Sequence, residues 1–167
     1  MITRKQIEDN LKILDRKYKK ATSQKETLFY SKLAILELSG WIEESMDDII
    51  LRCARRHLKD EKNIKYVEKE IVKRTHGFDY PNFRQMLVKL LGLINVEKIE
   101  KKVKRKLPVS LEDLLGPLKK ARDSEAHTHI NKGVTRHINA PSVTFGQFPG
   151  IYKGLVEFDS VIIKTKF

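Results

Sequence analysis

The stretch ILELSGWIEESMDDII, residues 35–50, forms the centre of the longest helical pattern in the chain. Its apolar side chains recur at steps of three and four residues, the spacing of one helix face. The pattern runs from about Lys25 to Leu58, and Leu36 and Trp41 widen its apolar stripe. We therefore expect a central helix contacted on more than one side. Gly40 within it predicts a close crossing with another helix.

Helical spacing continues on both sides of this central pattern. Thr3 with Gln6 predicts a capping box for a first helix, and Ser110 predicts an N-cap near the other end of the chain. Gly77 and Gly92 predict helix ends. Further helical patterns cover residues 63–76, 82–91, 95–106, 110–127 and 151–164.

The helical spacing of apolar residues is interrupted over residues 128–148, which mix Gly, Asn, Pro and Ser. They predict a loop of roughly 20 residues, a length that is uncommon unless the loop serves function or wraps a surface. Residues 143–148 and 161–163 carry weak strand signals, and we expect neither to form a sheet. The sequence thus predicts an all-α protein, an antiparallel bundle of five to seven helices in a single domain spanning residues 1–167.

Composition narrows the class of protein. The 167 residues include 34 Lys and Arg against 22 Asp and Glu, a net charge of +12 that is typical of a polyanion binder or of a Lys-rich soluble protein. No apolar run is long enough for a membrane span, and the N-terminus lacks a signal-peptide core. The single cysteine, Cys53, excludes an intramolecular disulfide and a cysteine zinc cluster. We expect a cytoplasmic protein without cofactor or metal.

Two groups of basic residues are candidates for contact with an RNA backbone. One group precedes Pro108 and the other lies in the predicted helix 110–127; a solvated charged surface is the alternative interpretation. The candidates are Lys101, Lys102, Lys104, Arg105, Lys119 and Lys120.

The pattern that suggests chemistry is Arg122-Asp123, then three residues, then His127. RNA carries its own nucleophile, the 2′-hydroxyl, so cleavage needs a proton-transfer group and a cation for the phosphate. Histidine and arginine supply these functions without a metal. On an ideal helix Arg122 and His127 lie about 140° apart, whereas Arg122 and His129 nearly share a face. Either the helix end bends, or two copies of the helix meet; alternatively, His127 only caps the helix end.

A second pair with the same spacing, Arg52 and His57, lies within the central helical pattern. We interpret this pair as part of a solvated basic face.

The pattern Arg122-Asp123-Ser124-Glu125-Ala126-His127 resembles the motif of the HEPN superfamily of small helical proteins, in which Asn is usual after the arginine. Its place before a loop and a last amphipathic helix is also similar. Trp41-Ile42-Glu43-Glu44 is similar to an aromatic–acid patch in the branch associated with RiboL-PSP proteins. The resemblance implies a HEPN-like bundle that dimerises through the motif helix, with Arg122 and His127 catalytic.

The resemblance further implies a metal-independent endoribonuclease, often a toxin or a phage-defence effector. Asp123, His129, Glu43 and Glu44 are possible supporting residues; the two glutamates are otherwise surface carboxylates. We hypothesise RNA cleavage by 2′-hydroxyl attack, giving 2′,3′-cyclic phosphate ends. The alternatives are a non-catalytic HEPN-like module that binds RNA or a partner, and a helical protein whose basic surface binds an acidic partner such as an antitoxin.

Overall fold

A computed structural model describes residues 2–126, 130 and 137–165. These residues form seven α-helices and one π-helical segment, and none of them lies in a strand, so the predicted all-α bundle is confirmed. The elements are α1 (Lys5–Lys19), α2 (Gln24–His57), α3 (Glu61–Tyr66), the π-helical segment (Val67–Val72), α4 (Tyr80–Leu91), α5 (Leu93–Lys104), α6 (Leu111–Ala126) and α7 (Pro141–Lys164).

Helix α2 is the central element, as its sequence predicts. It packs against α1, α4, α6, α7 and the π-helical segment. Leu38, Ile42 and Met46 are fully buried along it. The predicted close crossing at Gly40 is wrong, because Gly40 is exposed and a Cβ atom built there would meet nothing within 4 Å.

Helices α1 and α2 form an antiparallel hairpin. The indole Nε1 of Trp41 donates to the carbonyl of Thr3 at 3.0 Å, and Asn10 Nδ2 donates to Glu37 Oε2 at 3.2 Å. The capping box predicted from Thr3 is absent: α1 begins at Lys5, so the N-cap is Arg4, whose side chain makes no capping bond. Helix α2, by contrast, has a side-chain N-cap, which Ser23 provides.

The loop predicted over 128–148 is wrong from residue 141 onward, because helix α7 begins at Pro141 rather than at 151. Proline is well suited to the first turn of a helix, where its missing N–H needs no partner. Every third or fourth residue from that point is buried, which continues the stripe of the predicted last helix back through the supposed loop. These residues are Pro141, Thr144, Phe148, Ile151, Leu155, Phe158 and Ile162.

The close helix approach that was expected at Gly40 occurs between α6 and α7. A Cβ atom on Gly154 would lie 2.8 Å from Leu111 Cδ1, and one on Gly150 would lie 3.2 Å from Leu114 Cδ2. Since both glycines face α6, their lack of a side chain lets leucines of α6 pack directly on the α7 backbone.

Gly92 caps the end of α4 as predicted, whereas the cap predicted at Gly77 is wrong, because the preceding helix ends at Val72 with Lys73 as its C-cap. Both glycines have positive φ. Gly77 (φ 105°) lies in the turn before α4, and Gly92 (φ 78°) separates α4 from α5. The helix predicted over 63–76 is divided into α3 and the π-helical segment, which ends at Val72. No helix within the described ranges is both long and apolar enough to cross a membrane.

Candidate functional site around Arg122

Helix α6 presents Arg122 to the turn before α4. Its start is fixed by Ser110, whose Oγ accepts the backbone N–H of Asp113 at 3.0 Å, as the sequence predicts. Leu111, Leu115 and Leu118 are buried on one side of the helix. Arg122 follows one turn after Leu118, so the guanidinium reaches the turn that joins the π-helical segment to α4.

The guanidinium of Arg122 rests on this turn. Its Cζ lies 5.4 Å from the centre of the Phe78 ring, and Nη2 lies 3.9 Å from the position of a Cβ atom on Gly77. Phe78 is 1% exposed, whereas the Arg122 side chain keeps 26% of its surface accessible. The guanidinium therefore makes a cation–π contact with a buried ring and remains accessible to a ligand.

Three polar side chains hold the turn under Arg122. Glu43 Oε1 accepts the backbone N–H of Gly77 at 3.0 Å, Asn82 Nδ2 donates to the carbonyl of His76 at 2.9 Å, and Asp79 accepts the backbone N–H of Asn82 at 2.9 Å. Glu43 and Arg122 thus contact the same turn, and the supporting role of Glu43 stays a prediction. His76 is exposed at the same turn.

Asp123 links two cations on the same helix. Its carboxylate lies 3.2 Å from Arg122 Nη1 and 2.6 Å from Lys119 Nζ, and the second contact raises the pKa of Lys119. Lys119 Nζ also lies 3.8 Å from Asp79. Lys119 and Asp123 therefore belong to the Arg122 site, while Lys120 is exposed.

Two predicted residues cannot be placed at this site. His127 and His129 lie outside the described residues, since α6 is described only through Ala126. Glu44 is exposed and lines a groove together with Thr3 and Trp41, on the α1 side of α2. It does not share the turn that Glu43 holds.

The basic residues of α5 lie far from Arg122. Lys101, Lys102, Lys104 and Arg105 are exposed. Lys104 lines a cavity with Glu112, in the first turn of α6. Arg122 follows ten residues later, roughly 15 Å along that helix. The two predicted basic groups are thus near opposite ends of α6.

The interpretation of the second pair, Arg52 and His57, as a solvated basic face is wrong for Arg52. His57 is exposed, but Arg52 forms ion pairs with Asp48 at 2.8 Å and with Asp159 of α7 at 3.0 Å, and its side chain is only 25% exposed. Arg52 therefore joins two helices. Burial raises the pKa of the neighbouring Cys53 to about 11, so this thiol is a poor nucleophile at neutral pH.

Sequence reasoning missed residues that matter at the site. Gly77 was expected only to end a helix, and nothing in the sequence connects Phe78 to an arginine more than 40 residues later. Glu125, on the motif helix, is 5% exposed. Asp47 lies one turn after Glu43 on α2, and burial together with repulsion by Glu43 and Glu44 raises its pKa to about 6. Carboxyl groups at i, i+1 and i+4 on a helix, as at Glu43, Glu44 and Asp47, are the signal for such a shift.

Within the part of the chain that the structure describes, no three His, Cys, Asp or Glu side chains lie together as a metal site requires. No protein-family model, curated protein or solved structure matches this chain.

Proposed function

We propose that this protein is a HEPN-like, metal-independent endoribonuclease in which Arg122 binds the scissile phosphate. The observation that carries the proposal is the supported, accessible guanidinium of Arg122 above Phe78 and Gly77. A planar guanidinium matches two phosphate oxygens, and a cation held in place before the reaction stabilises the negative transition state. The net charge of +12 favours a polyanionic substrate.

In the proposed reaction the 2′-hydroxyl of RNA attacks the adjacent phosphorus. His127 removes the 2′-hydroxyl proton, the bond between phosphorus and the 5′-oxygen breaks, and an imidazolium form of His127 gives a proton to the leaving 5′-oxygen. The products are a 2′,3′-cyclic phosphate and a 5′-hydroxyl end. Arg122 stabilises the charge on the phosphoryl oxygens throughout.

We further propose that two copies meet through the motif helix. The exposed residues of α6 within four positions of Arg122 are Lys120, Asp123, Ser124 and Ala126, so this end of the helix is accessible to a second copy. A second copy would add its own Arg122 and His127 to one cleft. Light scattering at micromolar concentration measures the mass, and a monomer at every concentration would contradict the shared cleft.

The proposal is tested with end-labelled RNA. Arg122→Ala and His127→Ala should each lower the cleavage rate on the order of a hundredfold to a thousandfold. Arg74→Ala is the matched control, because the Arg74 side chain is 70% exposed and forms a surface ion pair with Glu70 at 3.0 Å. Cleavage should survive EDTA and yield cyclic phosphate ends. Full activity of either variant, or dependence on added metal, would refute the assignment.

One observation favours a non-catalytic alternative, a module that binds RNA without cutting it. Asp123 places a carboxylate beside the guanidinium of Arg122, at 3.2 Å, and so competes with phosphate for it. The same assay separates the two functions: a binding module retards labelled RNA in a gel and leaves it intact, whereas the nuclease shortens it.

We propose a toxin or defence role for the nuclease. Induced expression of the wild-type chain should then arrest growth of a bacterial host, and expression of Arg122→Ala should not. Equal growth with both proteins would argue against this role without affecting the assay on purified protein.

A further inference from the structure

The α1–α2 hairpin carries an exposed apolar surface. Ile13, Phe29 and Leu33, which we call the hairpin strip, are 40%, 48% and 44% exposed. Phe29 and Leu33 lie one turn apart on α2. The hydrogen bond between Asn10 and Glu37 fixes the register of the two antiparallel helices. Ile13 and Leu33 each lie about one helical turn from that bond, on the side of the turn that joins α1 to α2. The three side chains therefore form one patch rather than isolated exposures.

The hairpin strip continues into a groove between the two helices. Leu36 and Gly40 follow Phe29 and Leu33 at helical spacing on the same face of α2. Both line a cavity of about 250 Å³, whose other lining residues are mostly polar: Thr3, Gln6, Ile7, Asn10, Glu37, Trp41 and Glu44. A Cβ atom on Gly40 would meet nothing, so the backbone of α2 is open there to close approach. From Phe29 to Gly40 the face extends over about three helical turns.

Basic side chains flank the hairpin strip. Lys25 lies one turn before Phe29, with Nζ 5.7 Å from the ring centre, and Lys17 lies one turn after Ile13 on α1. Lys20 and Lys32 belong to the same end of the hairpin. Acidic residues are also present: Glu26 beside Lys25 accepts the backbone N–H of Thr22 at 2.9 Å, and Asp9 lies one turn before Ile13. Glu37 and Glu44 lie toward the groove, where Glu37 accepts a hydrogen bond from Asn10.

We propose that the hairpin strip and its groove bind an amphipathic helix with acidic flanks, supplied by a partner protein. Apolar side chains at steps of three and four residues would cover the hairpin strip and the open backbone at Gly40. Carboxylates beside them would meet the lysines at the end of the hairpin. A second copy of this chain is disfavoured because it presents the same lysines. An acidic membrane surface fits the charge but not the concave groove.

The probe is a synthetic helical peptide of about five turns, with leucines on one face and glutamates beside them. Fluorescence anisotropy should show saturable binding by the wild-type protein, and Leu33→Glu should weaken it at least tenfold. Ile94→Glu is the matched control, because Ile94 is 73% exposed on α5, away from the hairpin, and its substitution should leave binding unchanged. Circular dichroism of each variant confirms that the helices persist.

A charge exchange makes the test specific. The double variant Lys17→Glu, Lys25→Glu should lose the acidic peptide and gain a peptide in which lysine replaces glutamate. The proposal is overturned if the wild-type protein binds neither peptide, if it binds both equally, or if vesicles of phosphatidylcholine and phosphatidylglycerol bind through Leu33 while the peptide does not. None of these measurements depends on RNA cleavage.

Discussion

Arg122 depends on side chains from elements other than its own. The ring under it belongs to the turn before α4, and that turn is tied to α2 by Glu43 and to α4 by Asn82. An arginine held in this way loses fewer degrees of freedom when it binds phosphate, so much of its contribution to affinity would come from its neighbours.

We expect Glu43→Ala to reduce both stability and cleavage, because it leaves the backbone N–H of Gly77 without its acceptor. Loss of one such hydrogen bond costs about 1–3 kcal/mol, and a displaced turn should lower the cleavage rate about tenfold. Urea unfolding and the RNA assay measure the two effects. Glu44→Ala is the matched control on the same helix, and an equal loss in both variants would contradict the positioning role.

Asp47 makes stability depend on pH. Its pKa is raised to about 6, above its ordinary value of 3.8, so the folded state binds the proton more tightly than the unfolded state does. Stability therefore falls as the pH rises from about 4 to about 6. Asp47→Asn should stabilise the protein at pH 7 by about 1–2 kcal/mol, after allowance for solvent screening. The gain should vanish below about pH 4 in urea titrations; a gain independent of pH would contradict this cause.

At the scale of elements, the crossing of α6 and α7 depends on Gly154. Gly154→Ala gains helix propensity of about 1 kcal/mol but forces Leu111 out of a 2.8 Å contact, and overpacking typically costs 1–3 kcal/mol, so we expect net destabilisation. Gly40→Ala meets nothing and should stabilise the protein by up to about 1 kcal/mol. Thermal unfolding of the two variants should therefore shift the midpoint in opposite directions.

Helices α2 and α7 show how far the sequence predicts the secondary-structure elements. Apolar spacing located α2 almost to the residue, because one buried face extends along its whole length. The same spacing was present from Pro141, but Gly146, Pro149 and Gly150 concealed it. Local propensity favours a loop there, but tertiary packing overrides it: Phe148 packs edge-on against Trp41 of α2, and Lys12 of α1 lies over the Phe145 ring. Which glycine receives a neighbouring helix depends on contacts that no local pattern contains.

At the candidate site, too, the sequence suggested some residues, and others are recognised only from the tertiary structure. The spacing of Arg122 and His127 suggested the arginine, the resemblance of residues 41–44 suggested Glu43, and the structure brings Arg122 and Glu43 to the turn at Gly77. Phe78 and Asn82 were missed, since their role arises only when the turn before α4 meets α6. The interpretation of Arg52 as solvated failed for this reason too, because its partner Asp159 lies on a different helix.

At the scale of the whole molecule, the positive charge is spread over separate surfaces. If RNA contacts α5 as well as Arg122, the double variant Lys104→Ala, Arg105→Ala should lower the slope of log Kd against log salt by about 1.4 for single-stranded RNA, about 0.7 per phosphate. Lys62→Ala with Lys65→Ala, on α3, is the control of equal charge. Identical slopes for the two variants would show that α5 lies outside the RNA path.

Helix α7 packs against α1, α2, α5 and α6, although it follows all of them in the chain. A nascent polypeptide still lacking Pro141–Lys164 would leave the inner faces of those helices uncovered on the ribosome. Leu111 and Leu155 belong to one core, yet translation must add more than 40 residues between them. Synthesis interrupted in that interval should yield fragments prone to aggregation and degradation.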